Sequence, residues 1–103
     1  MGAENLQEAV ARLNTETGRI SWPELERHYA RGALLTVSPD SDLVLLAAHM
    51  VRDDKQQVSD CLASGSLRKT SDADARDWQA RNSELWAVVV APWVLVQERS
   101  TNR

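Results

Sequence analysis

The run from Glu84 to Glu98, ELWAVVVAPWVLVQE, constrains the fold most strongly, because it is the most apolar stretch of the chain. Valine and tryptophan dominate it, and both suit the pleated, packed surface of a β-sheet. Its two alternating sets of residues are both apolar, whereas a strand with one face in water would alternate apolar and polar residues. We therefore predict a central strand that is covered on both faces by the upstream helices. Val89 lies in its middle, so we expect Val89→Asp to abolish folding by burying an unpaired charge.

Pro92 interrupts this run. Proline has no N–H to donate to a strand ladder, so it is placed at an edge or a bulge. The usual two-residue hairpin turns need positive φ, which proline cannot adopt, and this disfavours a tight hairpin at Ala91-Pro92. We predict instead two collinear strand pieces joined by a bend, with an exposed sheet edge near Trp93.

Apolar residues at helical spacing predict five helices upstream of this run. Ser21 with Glu24 resembles a capping box at the start of the second helix, Ser41 is placed to cap the third, and Ser71 opens the fifth. Four of the predicted helices cover residues 5–14, 22–31, 42–52 and 71–82. The remaining one, the fourth along the chain, ends at Gly65, with Val58, Cys61 and Leu62 facing inward. Short strands are predicted at 33–37 and around Leu67. The predicted fold is α+β, about five helices packed on a small mixed or antiparallel sheet, in the order α-α-β-α-α-(β)-α-β-β.

Length, charge and cysteine content limit the class of protein. A chain of 103 residues fits a single globular domain over residues 1–103, with frayed ends such as 100–103. The net charge of −3 gives no electrostatic reason to bind nucleic acid or an anionic membrane. The single cysteine, Cys61, excludes an internal disulfide and fits a reducing cytoplasm. The N-terminal residues lack the pattern of a signal peptide, and the longest apolar run is too short to span a bilayer.

Two acid–histidine pairs are candidates for chemistry: Glu24 with His28, and His49 with Asp53. Residues four positions apart meet on a helix surface, so each pair could supply two metal ligands or a base and the group that orients it. Asp54 adds a third carboxylate, and two adjacent helices would bring the set together. The alternative is that both are ordinary solvated pairs. We therefore assign no metal and no cofactor, and keep His28, His49, Asp53 and Asp54 as weak metal-site candidates.

Cys61 and the four tryptophans are the other unusual side chains. Apolar neighbours surround Cys61 in the sequence, which favours a small buried hydrophobe over a reactive thiolate. The chain has no phenylalanine, so tryptophans are expected to fill core positions in its place. That interpretation is favoured for Trp78 and Trp86. Trp93, beside the proline, is a candidate for a ligand pocket or a protein interface.

The chain resembles a bacterial family known as domain of unknown function 2288. The resemblance lies in TGRISWPELERHYARG (residues 17–32), the helix that begins Asp42-Leu43-Val44, the helix that carries Trp78, and above all ELWAVVVAPWVLVQE. It covers nearly the whole chain and implies a small bacterial protein. It implies no activity, ligand or catalytic residue.

The residues themselves do not determine the function, and they leave open whether the chain is an enzyme. The leading interpretation is a small cytosolic, non-enzymatic interaction module that self-associates. We expect a homodimer, because an apolar sheet edge left in water invites pairing with another chain. Its interface is predicted at Trp93, Val94, Leu95 and Val96. The alternative is a small-molecule or metal-dependent enzyme that uses the Glu24/His28 and His49/Asp53 pairs.

Overall fold

The computed structural model of the chain describes residues 4–98, in which five helices surround a five-stranded sheet. The helices are α1 (Leu6–Glu16), α2 (Trp22–Ala30), α3 (Leu43–Val51), α4 (Lys55–Ser64) and α5 (Asp72–Arg81). The strands are β1 (Gly18–Ser21), β2 (Leu34–Val37), β3 (Leu67–Lys69), β4 (Glu84–Val90) and β5 (Trp93–Gln97). The predicted tail at 100–103 lies outside the described residues. No helix within residues 4–98 has the length and apolar character needed to cross a membrane.

The sheet is mixed, with strand order β1-β4-β5-β2-β3. Strands β2 and β5 are parallel, and the other neighbouring pairs are antiparallel. The predicted fold class and element order are confirmed, with one additional strand, β1. This strand was missed because it has only four residues and begins only two residues after the end of α1. Its first residue, Gly18, pairs with Ala87.

Strands β4 and β5 form a tight hairpin, so the prediction of two collinear pieces was wrong. Val90 pairs with Trp93 across the two-residue turn, and the Ala91–Pro92 peptide bond is cis. A turn with cis proline at its third position is a separate class that does not require positive φ, which is why the usual hairpin rule did not apply. Strand β5 therefore lies inside the sheet between β4 and β2, and the predicted exposed edge near Trp93 does not exist.

Helices cover both faces of the central strands, as the doubly apolar run predicted. On one face, α1 and α3 bury Leu13 and Leu46 against a core cluster that includes Leu95. On the other face, α2 and α5 bury Leu25 and Trp78 against a cluster that includes Leu85, Ala87, Val94 and Val96. Helix α4 belongs to the first face, where it packs mainly against α3 and β3.

Val89 is the exception to this covering. It is 61% exposed, whereas its neighbour Val88 is 1% exposed. The expectation that Val89→Asp would abolish folding therefore rested on a wrong assumption about burial. The α2-side face is left open here because β1 pairs with β4 only as far as Ala87, and α2 stops at Ala30.

Leu62, predicted to face inward, is also exposed, because none of the residues of α4 is fully buried.

The helix caps follow the sequence only in part. Ser71 forms the predicted capping box with Asp74 at the start of α5. Asn5 and Glu8 form an unpredicted one at the start of α1. Ser21 makes no side-chain cap hydrogen bond to α2. Helix α3 is capped by Asp42, one residue after the predicted Ser41.

Asp74 links α5 to the edge strand β3 through a contact of 2.5 Å between its Oδ2 and Arg68 Nη1. Burial works to raise the pKa of Asp74, but hydrogen bonds from Arg68 and Ser71 outweigh it, so this pKa lies below its usual value of 3.8. A lowered carboxylate pKa stabilises the fold above the unfolded-state pKa, and the contribution disappears as the pH falls through the folded-state pKa.

We expect Asp74→Asn to lower the free energy of unfolding at pH 7, by less than about 1 kcal/mol, because the Arg68 side chain is about half exposed and Asp74 is only partly buried. The difference between wild type and variant should shrink as the pH falls below about 4, where the unfolded-state carboxylate protonates. Urea unfolding at a series of pH values measures this difference. An aspartate in an unfolded chain has a pKa of about 3.9, so at pH 2.5 its carboxyl is mostly protonated. If the stability difference between wild type and variant is as large at pH 2.5 as at pH 7, it does not come from the charge of Asp74.

Candidate functional site

A depression surrounds Val89 on the face of the sheet that carries α2. It consists of a cavity of about 480 Å³ beside the β4–β5 turn and an adjoining one of about 200 Å³ towards β1, and His28, Val89 and Val94 line both. We call this depression the Val89 hollow. Its defining residues are Glu16, Gly18, His28, Arg31, Ala33, Val89, Ala91, Pro92, Trp93 and Val94.

The hollow follows from the lengths of the elements and from two small residues. The paired strands β4 and β5 continue to the Ala91-Pro92 turn, beyond the last residue of α2. Gly18 on one side and Ala33 on the other have no large side chain to cover the exposed strand surface. An apolar strand surface therefore remains uncovered at the centre, although each neighbouring element is well formed.

Opposite charges lie on opposite sides of the hollow. Glu16, which also pairs with Arg12 at 3.4 Å, precedes β1, and Arg31 precedes β2, while β4 and β5 lie between these two strands in the sheet. Arg31 has no acidic partner among residues 4–98; its Nη2 lies 2.8 Å from His28 Nδ1. Because a guanidinium can only donate, His28 accepts this hydrogen bond through Nδ1 as a neutral ring. Burial, followed by the positive charges of Arg31 and Arg27, lowers the pKa of His28, which agrees with that state.

The predicted Glu24/His28 pair makes no polar contact between its side chains, since the described polar contact of His28 is with Arg31. His49 contacts a carboxylate one residue later than predicted: its Nδ1 lies 3.0 Å from Asp54 Oδ2. The shift occurs because α3 ends at Val51 and Asp53 adopts a positive φ of 56°, which turns its side chain away from the helix surface. A positive φ at a residue other than glycine gave no signal in the sequence.

The two histidines do not form a joint site, because α2 and α3 pack on opposite faces of the sheet. Among the residues that the structure describes, no three histidine, cysteine, aspartate or glutamate side chains are placed to hold a metal ion. Cys61 is half-buried at the margin of the first core cluster, with its thiol free. The weak metal-site candidates are thus not brought together within residues 4–98.

The tryptophans divide between core and surface. Trp22 and Trp78 are buried with ring centroids 5.9 Å apart. Trp78 Nε1 donates to Glu98 Oε1 at 3.1 Å, whereas Trp22 Nε1 has no hydrogen-bond partner among the described residues. Trp86 is half-buried, with the Arg19 guanidinium 5.5 Å from its ring centroid. Trp93 is half-buried at the turn and contributes to the hollow.

The four residues of the predicted interface lie in two different environments. Trp93 and Val94 line the Val89 hollow. Leu95 and Val96 are fully buried inside the chain, because β5 has a neighbouring strand on each side. The predicted interface therefore overlaps the hollow at Trp93 and Val94, and it did not include Val89, whose exposure depends on how far β1 and α2 extend.

Comparison with known proteins places this architecture in a family. The model of the family described as "Protein of unknown function (DUF2288)" matches residues 8–98. The solution NMR structure of PA1075 from Pseudomonas aeruginosa is similar, with 42% sequence identity and a TM-score of 0.78. That alignment covers 96% of this chain and 89% of the Pseudomonas chain. No curated protein matches.

Proposed function

Since the chain belongs to the DUF2288 family, whose description carries no activity, we propose a function from the surface itself: a small non-enzymatic interaction module that forms a homodimer through the Val89 hollow. One observation supports the proposal above the others. Val89, the penultimate residue of β4, is 61% exposed in a strand whose other apolar residues are buried or half-buried. Large apolar side chains in an uncovered depression are typical of protein contact sites.

The charges around the hollow favour a second copy of the chain as its occupant. A two-fold axis in the plane of the contact, parallel to β4 and β5, places the Glu16 side of one protomer opposite the Arg31 side of its partner. Two-fold symmetry repeats this contact, so one interface contains two opposite-charge pairs. Burial of Val89 adds an apolar contribution of up to about 1.5 kcal/mol for each protomer.

The proposal includes a bacterial cytoplasm as the site of action. A single half-buried cysteine without a disulfide suits a reducing compartment. The net charge of −3 favours a protein partner over nucleic acid.

The first test is the oligomeric state. We expect light scattering behind a sizing column to give the mass of a dimer for the wild type. Val89→Asp should give a folded monomer, because a charge at an exposed position leaves the core intact but opposes burial at an interface. Leu45→Asp is the matched control, since Leu45 is an exposed apolar residue on α3, on the other face of the sheet, and should remain dimeric. A wild-type monomer at micromolar concentration would refute the proposal.

Charge reversal tests the arrangement of the two protomers. Glu16→Arg and Arg31→Glu each create two like-charge contacts and should weaken the homodimer about tenfold, as expected for two rim pairs of roughly 0.7 kcal/mol. Mixing the two variants should restore dimerisation, because both contacts in the heterodimer are again attractive. Glu26→Arg, on the exposed surface of α2, is the control and should have no effect. Failure of the mixture to recover affinity would exclude this two-fold arrangement.

A further inference from the structure

A second depression lies on the opposite face of the sheet, between α4 and the β4–β5 turn. Its volume is about 390 Å³, within the range of small-molecule sites. Its walls are apolar and include Met50, Val58, Leu62 and Trp93. We call it the α4 groove. It lies on the other side of the sheet from the Val89 hollow, although Ala91, Pro92 and Trp93 at the turn line both.

The groove remains open because α4 packs mainly against α3 and β3 and does not close over the hairpin. Leu62 is consequently 55% exposed, on the side of α4 that lines the groove. The Leu62 side chain is therefore in contact with water. An apolar group of a ligand bound in the groove would remove this apolar surface from water, which is favourable.

Two charges of opposite sign stand on the rim of the groove. Asp53 is held by its positive φ at the end of α3, and Lys55 is the first residue of α4. Neither has an ion-pair partner among residues 4–98, whereas the intervening Asp54 binds His49. The rim therefore offers one free carboxylate and one free ammonium group next to apolar walls.

We propose that the α4 groove binds a free α-amino acid with an apolar side chain. The ligand ammonium contacts the Asp53 carboxylate, and the ligand carboxylate contacts the Lys55 ammonium. The apolar side chain lies against Leu62 and Trp93. A zwitterion satisfies both rim charges at once, whereas a simple anion or cation would pair with one and be repelled by the other.

The test is a titration with L-phenylalanine followed by NMR. We expect saturable chemical-shift changes at the Trp93 indole and the Leu62 methyl groups. Asp53→Asn and Lys55→Gln should each weaken binding about fivefold, the effect of one partly exposed charge pair. Asp60→Asn is the control on the same helix, since Asp60 accepts a hydrogen bond from Gln56 and does not line the groove. Its affinity should be unchanged.

Altered ligands separate the two charges. Phenylalanine methyl ester lacks the carboxylate and N-acetylphenylalanine lacks the ammonium, so both should bind more weakly than phenylalanine. Glycine, which lacks the apolar group, should bind more weakly still. Absence of saturation with phenylalanine, or equal binding by glycine, would overturn the proposal. The Val89→Asp variant should retain phenylalanine binding, so the result does not depend on dimerisation.

Discussion

Val88→Asp is expected to leave the chain unfolded at neutral pH, whereas Val89→Asp is expected to fold. Val88 is 1% exposed and pairs with Leu95 in the centre of the sheet, under α1 and α3. An unpaired carboxylate there costs several kcal/mol, a large part of the roughly 5–15 kcal/mol that stabilises a typical domain. Val89 is one residue further along the same strand but faces the hollow.

Circular dichroism with thermal unfolding distinguishes the two variants. Val89→Asp should retain a cooperative transition with a midpoint close to that of the wild type, apart from any stabilisation that dimerisation supplies. Val88→Asp should show no cooperative transition. If Val88→Asp folds normally, the face assignment of β4 is wrong; if neither variant folds, Val89 is not exposed in solution.

Gln97→Met is expected to have the second largest effect, a loss of about 1–3 kcal/mol in the free energy of unfolding, as expected for two hydrogen bonds. Gln97 is buried, and its Nε2 donates to the backbone carbonyls of Ser38 and Ser41 at 2.8 and 2.6 Å. Methionine preserves the length of the side chain but removes both hydrogen bonds. The two carbonyls that anchor the loop before α3 would then lack this partner.

Urea unfolding at pH 7 measures the effect. Gln56→Met is a suitable control, because Gln56 makes a single exposed hydrogen bond to Asp60 on α4 and its loss should change stability by less than about 0.5 kcal/mol. A Gln97→Met variant as stable as this control would show that the buried amide does not anchor the loop.

The sequence predicted those features that depend on local pattern. The doubly apolar run indicated that helices cover both faces, and Ser71 with Asp74 gave a correct helix start. The same logic failed at Ser21 and Glu24, where the residue types of a capping box are present but the side-chain hydrogen bond is absent. A sequence pattern shows which side chains are able to form a capping hydrogen bond. Whether the bond forms depends on how the helix and its neighbours pack.

The candidate sites depend on distant parts of the chain, which explains why little of them could be predicted from the sequence. Val89 is exposed because β1 ends opposite Ala87 and α2 ends at Ala30, and neither limit is visible in the run around Val89. His49 reaches Asp54 because the backbone turns at Asp53. The hairpin was missed because its turn contains a cis proline, which the common turn rules do not include.

The strand order also sets the order in which the protein can assemble during synthesis. Strand β1 lies at one edge of the sheet and the β2–β3 pair at the other, so these earlier segments have no backbone contact with each other. The hairpin β4–β5, made after all of them, inserts between the two parts. While residues 84–97 are still inside the ribosome tunnel, the emerged helices lack the two central strands that they cover in the folded protein. Folding is therefore expected to be completed only after the hairpin emerges, as one late and cooperative step that joins contacts far apart in the sequence.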